Sequence, residues 1–405
     1  MTQSISKASL PAGFRVSGTT CGIKASGKSD LALFVSDRPA SVAGVFTTNR
    51  VVGAPVTVSR ERVPSGAAMA LVINSGNSNA CTGQQGLDDA RKMTAEVAAA
   101  IGCEPEQVLV CSTGIIGVNL PMETISSGIA PAVAALAATD EAFQAAATAM
   151  MTTDTFAKQS FVEVKLSSGT VRIAGAAKGA AMIAPNMATM LGVVMTDARL
   201  TPEQCDSLLR YGVARTFNCI SVDGHMSTSD TVLLFANGAA EVAPQNDSDL
   251  EQIRDAIQQT CEKLATDIIR DAEGAAHFIT IDVEGFETRE AAFKVAKEIA
   301  DSALVKTAIT GNDPNWGRIT SAAGYAGISF DTSFLSLIIN TTEVFNAGTP
   351  VKFDEDLLSN EMSENREVSF RLKLSGGPAS GGESVRFWTS DLTQEYVRLN
   401  SEYKT

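Results

Sequence analysis

Hydrophobic and polar positions alternate along this chain with two periods, which predict both helices and strands. The clearest helix is predicted over residues 248–269, with Asp247 or Ser248 as its cap. Its apolar residues recur at steps of three and four: Leu250, Ile253, Ile257, Cys261, Leu264 and Ile268. Further helices are predicted over residues 88–101, 130–151 and 287–300.

Short runs rich in Val, Ile and Leu, bounded by turn residues, predict strands in both halves of the chain. They cover residues 70–74, 107–111, 161–166, 170–174, 278–283, 327–330, 336–339, 368–374 and 384–389. The glycine-rich stretch 376–382 is expected to form a hairpin tip between the last two strands. The pattern indicates an α/β fold with mixed sheets and a smaller C-terminal domain that begins near Gly285.

Length and composition narrow the class of protein. A chain of 405 residues favours two or three domains, and 44% hydrophobic with 19% charged residues is typical of a packed globular enzyme. The net charge of −14 argues against nucleic acid and anionic membranes as partners. Seven cysteines without a C-x-x-C pair, and an N-terminus without an apolar leader, indicate the cytoplasm.

The chain has only two histidines, His225 and His277, which argues against a Ser-His-Asp triad or a multi-histidine metal site. Residues 22–29 match the phosphate-loop pattern G-x-x-x-x-G-K-S. That mechanism requires a helix after the lysine, whereas residues 30–36 alternate like a strand that ends before Pro39. A nucleotide site is therefore the weaker interpretation of this pattern.

The most informative segment is residues 178–191, which are small or apolar apart from Lys178, Asn186 and Thr189. Pro185 followed by Asn186 predicts a tight turn, which would present Thr189 as a nucleophile near Lys178. Residue type alone would favour a simpler interpretation, in which a buried threonine bonds to a backbone carbonyl.

A nucleophilic threonine needs a base, and cutting the chain before Thr189 would supply its own α-amine, with a pKa of about 7.7–8.0. The Thr189 hydroxyl could make that cut by attacking the carbonyl of Ala188, if the peptide is strained and an oxyanion is stabilised. Residues 112–117, after the predicted strand 107–111, are candidate donors, because their glycines let backbone amides point inwards and Thr113 adds a hydroxyl. An ordinary strand-end turn would explain the same residues.

Several blocks resemble the ornithine acetyltransferase family, the glutamate N-acetyltransferases of the ArgJ type. They are residues 45–49, 74–83, 112–117, 153–155, 178–191, 313–318 and 396–400, in the family's order. The resemblance spans essentially the whole chain. It implies the layered α-β-β-α core of the N-terminal-nucleophile (DmpA/ArgJ) type. Residues 1–188 would form an α chain, residues 189–284 would complete the core, and residues 285–405 would form a C-terminal α/β domain.

The resemblance also implies the chemistry of the site. The chain would cut itself between Ala188 and Thr189, Thr189 would be the nucleophile, and Thr113 and Gly114 would form the oxyanion hole. The residues implied to contact substrate are Thr155, Lys178, Thr189, Glu273, Asn400 and Thr405.

The implied reaction transfers acetyl from N2-acetyl-L-ornithine to L-glutamate in arginine biosynthesis. It needs no metal or bound cofactor, although acetyl-CoA can serve some family members as donor, and the implied assembly is an αβ dimer of dimers. Ala180-Ala181 and His225 depart from the family's usual Ser-Gly and Asp, which puts substrate range in question. Three alternatives stay open: an aminopeptidase or amidase with water as acceptor, a nucleotide-binding protein, and a non-catalytic relic.

Overall fold

The computed structural model of the chain describes residues 10–184 and 190–402, which form fifteen strands and eleven α-helices. The strands are β1 Phe14–Thr19, β2 Leu31–Phe46, β3 Ser65–Asn77, β4 Val108–Ile115, β5 Lys158–Leu166, β6 Gly169–Lys178, β7 Leu191–Thr196, β8 Ile220–Ser221, β9 Thr231–Ala236, β10 Phe278–Phe286, β11 Leu335–Ile339, β12 Thr342–Asn346, β13 Thr349–Pro350, β14 Glu367–Leu374 and β15 Ser380–Ser390. The helices are α1 Ala54–Arg60, α2 Gly83–Ile101, α3 Met122–Ala134, α4 Asp140–Met150, α5 Pro202–Arg215, α6 Asp247–Arg270, α7 Arg289–Asp301, α8 Ala303–Thr310, α9 Trp316–Gly324, α10 Glu355–Glu364 and α11 Gln394–Glu402.

The first sheet has the strand order β4-β3-β2-β9-β7-β6-β5, with β1 paired to β2. The pairs β3–β4 and β7–β9 are parallel and the others antiparallel, so the sheet is mixed. Strand β2 pairs with three strands: β1 and β3 along its first part, and β9 along its last part. Its register with β3 shifts between Val35 and Ala40, where Pro39 cannot donate to the ladder. The strand therefore continues past Pro39, and the expectation that it ends there is wrong.

The second sheet has the order β13-β12-β11-β14-β10-β15-β8 and is also mixed, which confirms the predicted α/β fold with mixed sheets. Strand β10 lies between β14 and β15, parallel to the first and antiparallel to the second. The stretch 376–382 is thus not a hairpin tip, because the strands on its two sides are not neighbours. The division of the chain at residues 284 and 285 stays a prediction.

Helices cover both faces of the first sheet. Inward residues of α4, among them Phe143 and Met150, pack with one face, and α1, α2 and α3 pack with the other near β3 and β4. Helix α6 packs on β5 and β6 and also contacts β15 and β8 of the second sheet, so one apolar cluster joins the two sheets. In the described part of the chain, no helix is long and apolar enough to cross a membrane.

The predicted helix 248–269 is confirmed as α6, but its cap is Asn246, whose side chain accepts from the Asp249 amide at 2.9 Å. The helix begins one residue earlier than predicted, so Asp247 and Ser248 lie inside its first turn. The predicted strand 327–330 is wrong, since these residues form no regular element.

The predicted helix 130–151 is in fact parts of two helices, α3 and α4. The break between them has two causes. Ala137 exchanges backbone hydrogen bonds with Val16 of β1, at 2.9 and 3.1 Å. Thr139 then caps α4 by accepting from the Ala142 amide at 3.2 Å. The helix propensity of alanine predicted one continuous helix, because propensity takes no account of a cap from a single hydroxyl or of a contact with a distant strand.

His277 connects the start of β10 to the end of β15. Its Nδ1 lies 2.9 Å from the Asp391 carboxylate and its Nε2 3.3 Å from the Met362 carbonyl oxygen. Asp391 also accepts from the backbone amides of Ala276 and His277. The hydrogen bond with Asp391, together with its charge, raises the pKa of His277 above its ordinary value, although partial burial opposes this.

This raised pKa makes stability depend on pH. Protonated His277 stabilises the fold fully below its unfolded pKa of about 6.5, and this contribution is lost as pH rises through the higher folded pKa. We therefore expect the free energy of unfolding to decrease as pH rises above about 6.5, and His277→Gln to flatten that decrease. Urea denaturation at a series of pH values checks this, and equal slopes for the two proteins would contradict it.

Candidate active site

A cavity of about 320 Å³ lies where the ends of β4 and β6, the loop before β9, the turn after α6 and helix α11 meet. Five of the residues implied by the family resemblance line it: Thr113, Gly114, Lys178, Glu273 and Asn400. These residues are up to 287 positions apart in the sequence, and the fold brings them to one place. Their individual roles stay predictions.

Gly114 is held at a position where only glycine fits. It pairs with Gly76 across the parallel β3–β4 ladder and has a φ of +131°. A Cβ on Gly114 would lie 2.5 Å from the Asn77 amide nitrogen, and closer still to the Gly76 carbonyl carbon. The backbone at the end of β4 therefore approaches β3 closely, and Thr113 beside it is almost completely buried.

Lys178, the last residue of β6, is buried with 2% of its surface exposed. Its Nζ donates to the Thr113 hydroxyl at 3.3 Å. Burial lowers the pKa of Lys178, and the nearby Asp154 carboxylate opposes that change. Among the described residues, no carboxylate oxygen lies within 4.0 Å of its Nζ, so its charge is not committed to an ion pair.

A second lysine, Lys158, is fully buried and is committed to two carboxylates. Its Nζ lies 2.7 Å from Asp154 and 2.6 Å from Asp271. Asp154 also accepts from the Gly179 amide at 2.6 Å. Burial opposes ionisation of Asp154, but the charges of Lys178 and Lys158 outweigh it and lower the pKa of Asp154 to about 2. This ion network anchors the chain immediately after β6.

Thr155 belongs to the same network. Its amide donates to the Asp271 carboxylate at 2.9 Å, and its hydroxyl donates to that carboxylate as well. From this segment Thr152 and Thr153 line the cavity, whereas Thr155 is not among the described lining residues. Contact of Thr155 with substrate stays a prediction.

Glu273 and Asn400 form the polar wall opposite the strand ends. The Asn400 amide nitrogen donates to the Glu273 carboxylate at 3.1 Å. The Glu273 backbone amide donates to the Ala180 carbonyl at 2.9 Å, which ties the turn after α6 to the segment after β6. A carboxylate held in this way can accept hydrogen bonds from an ammonium group.

Asp223 orders the segment that leads towards Thr189, and sequence reasoning missed it. Its carboxylate accepts from the amides of Met182 and Ile183, at 2.7 and 3.0 Å, and from the Tyr396 hydroxyl at 3.0 Å. Met182 has a φ of +56°, which a residue with a side chain adopts only at a cost. The only sequence signal was that Tyr396 begins one of the blocks that resemble the family.

Ala188, Thr189 and Thr405 lie outside the described residues. The structure describes both ends of the segment that contains the first two. Lys178 pairs with Leu191 in the β6–β7 ladder, and the Met190 amide donates to the Asp230 carboxylate at 3.0 Å. Burial raises the pKa of Asp230 well above its ordinary value. Ala181 and Met182, on the other side of that segment, line the cavity.

Comparison with known proteins identifies the family of this chain. The ArgJ family matches residues 15–405. The arginine biosynthesis bifunctional protein ArgJ of Rhodopirellula baltica is 47% identical over 399 residues, which cover 98% of this chain and 96% of that protein. The chain belongs to the ArgJ family.

Two solved structures are also similar to this ArgJ-family chain. The arginine biosynthesis bifunctional protein ArgJ of Bacillus halodurans is 40% identical, covers 45% of this chain and 95% of its own, and has a TM-score of 0.43. Ornithine acetyltransferase of Mycobacterium tuberculosis, complexed with ornithine, is 41% identical, covers 43% of this chain and 92% of its own, and has a TM-score of 0.41.

Both departures from the usual ArgJ-family pattern lie at the site. Ala181 and His225 line the cavity, and His225 is exposed. Ala180 is buried and offers its carbonyl to Glu273. In the described parts of this ArgJ-family chain, no group of three or more His, Cys, Asp or Glu side chains is placed to hold a metal ion.

The phosphate-loop pattern at residues 22–29 has a structural explanation. The buried Asp30 carboxylate accepts from four successive backbone amides, at 2.6 to 3.1 Å: those of Cys21, Gly22, Ile23 and Lys24. Burial opposes ionisation of Asp30, but these hydrogen bonds lower its pKa. The loop thus surrounds a carboxylate of its own chain, and strand β2 follows where a nucleotide site needs a helix.

The close approach at Gly114 leads to a specific prediction. If the chain cuts itself before Thr189 with Gly114 as an oxyanion donor, Gly114→Ala should slow that cleavage about 100-fold or more, the range seen when one oxyanion donor is lost, because the backbone must move away from β3. Gly117→Ala is the matched control: Gly117 also has a positive φ, of +81°, but its Cβ would meet nothing within 4 Å.

The control should lose only about 1 kcal/mol of stability, the usual cost of this conformation, and keep its cleavage rate. Gel densitometry of freshly synthesised precursor measures the rates. Equal rates for Gly114→Ala and wild type would contradict the assignment of Gly114 to the oxyanion hole.

Proposed function

We propose that this chain is a self-cleaving acetyltransferase that moves acetyl from N2-acetyl-L-ornithine to L-glutamate through an acetyl-Thr189 intermediate. One observation carries the proposal. A buried lysine that no carboxylate among the described residues pairs with, a carboxylate and a strand end with a glycine-only close approach share one cavity. They lie beside the ends of the segment that contains Thr189. Membership of the ArgJ family supports the same function.

Maturation comes first in the proposed sequence. The Thr189 oxygen attacks the Ala188 carbonyl carbon, the C–N bond breaks, and the hydroxyl proton ends on the leaving nitrogen, which becomes the α-amine of Thr189. Water then hydrolyses the Ala188–Thr189 ester and restores the hydroxyl. The chain that leads to this peptide is held at Met182, which has a left-handed backbone and donates its amide to Asp223.

Acetyl transfer then follows in two halves. The α-amine of Thr189 accepts the hydroxyl proton while the oxygen attacks the acetyl carbonyl of N2-acetyl-L-ornithine, and ornithine leaves with that proton on its nitrogen. The neutral α-amine of L-glutamate attacks acetyl-Thr189, N-acetyl-L-glutamate leaves, and its lost proton returns to the Thr189 oxygen. Thr113 and Gly114 are proposed to stabilise the oxyanion in both halves.

The charges of the cavity fit the carboxylate and the ammonium group of N2-acetyl-L-ornithine. Lys178 can bind a substrate carboxylate, and Glu273 can bind the side-chain ammonium of ornithine. Asn400 orients the Glu273 carboxylate by donating to it.

We also propose acetyl-CoA as a second donor to Thr189, because the curated relatives are named bifunctional. The seven cysteines are free thiols, which supports the proposal that the enzyme works in the cytoplasm.

The acetyl-enzyme can be trapped directly. Wild-type protein incubated with N2-acetyl-L-ornithine and no glutamate should gain one acetyl group on the peptide that begins at Thr189, and acetyl-CoA should give the same product. Adding L-glutamate should remove the label and release N-acetyl-L-glutamate. Mass spectrometry of peptides makes both measurements.

The controls separate the alternatives. Thr189→Ala should remain unlabelled because it lacks the nucleophilic oxygen, whereas Thr189→Ser keeps that oxygen and should label. Loss of the acetyl group to water at the same rate with and without glutamate would point to the amidase alternative. Absence of any label on wild-type Thr189 would contradict the proposal.

A further inference from the structure

We propose that Lys178 is a positioning residue for the oxyanion hole, in addition to binding substrate. Its ammonium donates to Thr113 and thereby directs the Thr113 hydroxyl proton towards the developing oxyanion. The inference rests on the proposed function, and it assigns to Lys178 a role that operates when no substrate is present.

The hydrogen-bond geometry supports this role. A threonine hydroxyl has one proton and two lone pairs, so accepting from Lys178 at 3.3 Å leaves its proton free to donate elsewhere. In residues 10–184 and 190–402, no group accepts that proton, although Thr113 is only 1% exposed and lines the cavity. A buried donor without an acceptor is costly, so an acceptor in the cavity would be bound strongly.

The charges around the two lysines support it as well. Lys158 is neutralised by contacts with Asp154 and Asp271, whereas Lys178 has no carboxylate at ion-pair distance among the residues described. A hydroxyl that accepts from an ammonium group becomes a stronger donor, since hydrogen bonds in a chain polarise one another. Thr113 can therefore transmit part of the Lys178 charge to an oxyanion.

Maturation separates this role from substrate binding. Self-cleavage at Thr189 forms an oxyanion but involves no ornithine and no glutamate. If Lys178 only bound a substrate carboxylate, its removal would leave the rate of self-cleavage unchanged. If Lys178 acts through Thr113, its removal must slow that rate, and must do so only while the Thr113 hydroxyl is present.

The test is a double-mutant cycle on precursor cleavage, with full-length wild type, Lys178→Met, Thr113→Val and the double variant. We expect Lys178→Met to slow cleavage about 10-fold or more, and Thr113→Val about 100-fold, the effect of losing one oxyanion donor. The double variant should be no slower than Thr113→Val alone, because the lysine then has nothing to act through. In matured Lys178→Met, kcat at saturating substrates should fall in addition to any rise in KM.

Lys306→Met is the matched control. Lys306 is another buried lysine that donates to a threonine hydroxyl, that of Thr389 at 2.6 Å, but it lies in α8 and its partner in β15 of the second sheet. Lys306→Met should change thermal stability and leave the cleavage rate within about 2-fold of wild type, since Lys306 is not among the described residues that line the cavity.

Three results would overturn the inference. The first is wild-type cleavage by a folded Lys178→Met, and the second is a slowing that simply multiplies with that of Thr113→Val. The third, cleavage lost to the same extent in Lys306→Met, would show a general effect of losing a buried lysine. If wild-type precursor remained uncut, the proposed function itself would fail, and the inference with it.

Discussion

The pairing of β6 with β7 is the constraint on which the rest of this structure depends. The ladder runs from Ile173 opposite Thr196 to Lys178 opposite Leu191, so the two strands hold together the ends of the segment that joins them. Strand β7 also pairs with β9, and β9 with β2, which fixes those ends inside the first sheet. A cut between Ala188 and Thr189 would leave β6 in one chain and β7 in the other, still joined by their backbone hydrogen bonds. On this basis we propose that the two chains remain one folded unit.

Buried charged side chains near the end of β6 determine which of them is available for chemistry. Lys158 forms ion pairs with Asp154, in the proposed chain 1–188, and with Asp271, in the proposed chain 189–405. It therefore links the two proposed chains. Such a buried ion triad stabilises the fold little in net terms, because removing three charged groups from water costs about as much free energy as their attraction returns. Its contribution is placement, since it leaves Lys178 as the charged group available to Thr113 and to substrate. Asp223 places the backbone after β6, because its carboxylate accepts hydrogen bonds from the amides of Met182 and Ile183.

Much of the local structure could be predicted from the sequence, because period and capping are local properties. The stripe of α6 and the strands around Thr113 and Lys178 are examples. What could not be predicted arises from contacts between distant residues. Nothing near Asp223 indicates Tyr396, which is 173 positions away, and nothing near residues 376–382 indicates that β10 separates β14 from β15. The strand predicted after residues 22–29 argued against a phosphate loop, but only the fold shows that the Asp30 carboxylate lies inside it.

The central claim is that the chain cuts itself between Ala188 and Thr189 and that the β6–β7 ladder then holds both products together. Intact mass spectrometry of the purified protein, denatured and native, with N-terminal sequencing of the pieces, tests this claim most directly. We predict two polypeptides, residues 1–188 and 189–405, the second beginning with Thr189, that stay together under native conditions. A single uncut chain in a preparation that transfers acetyl groups would contradict the account.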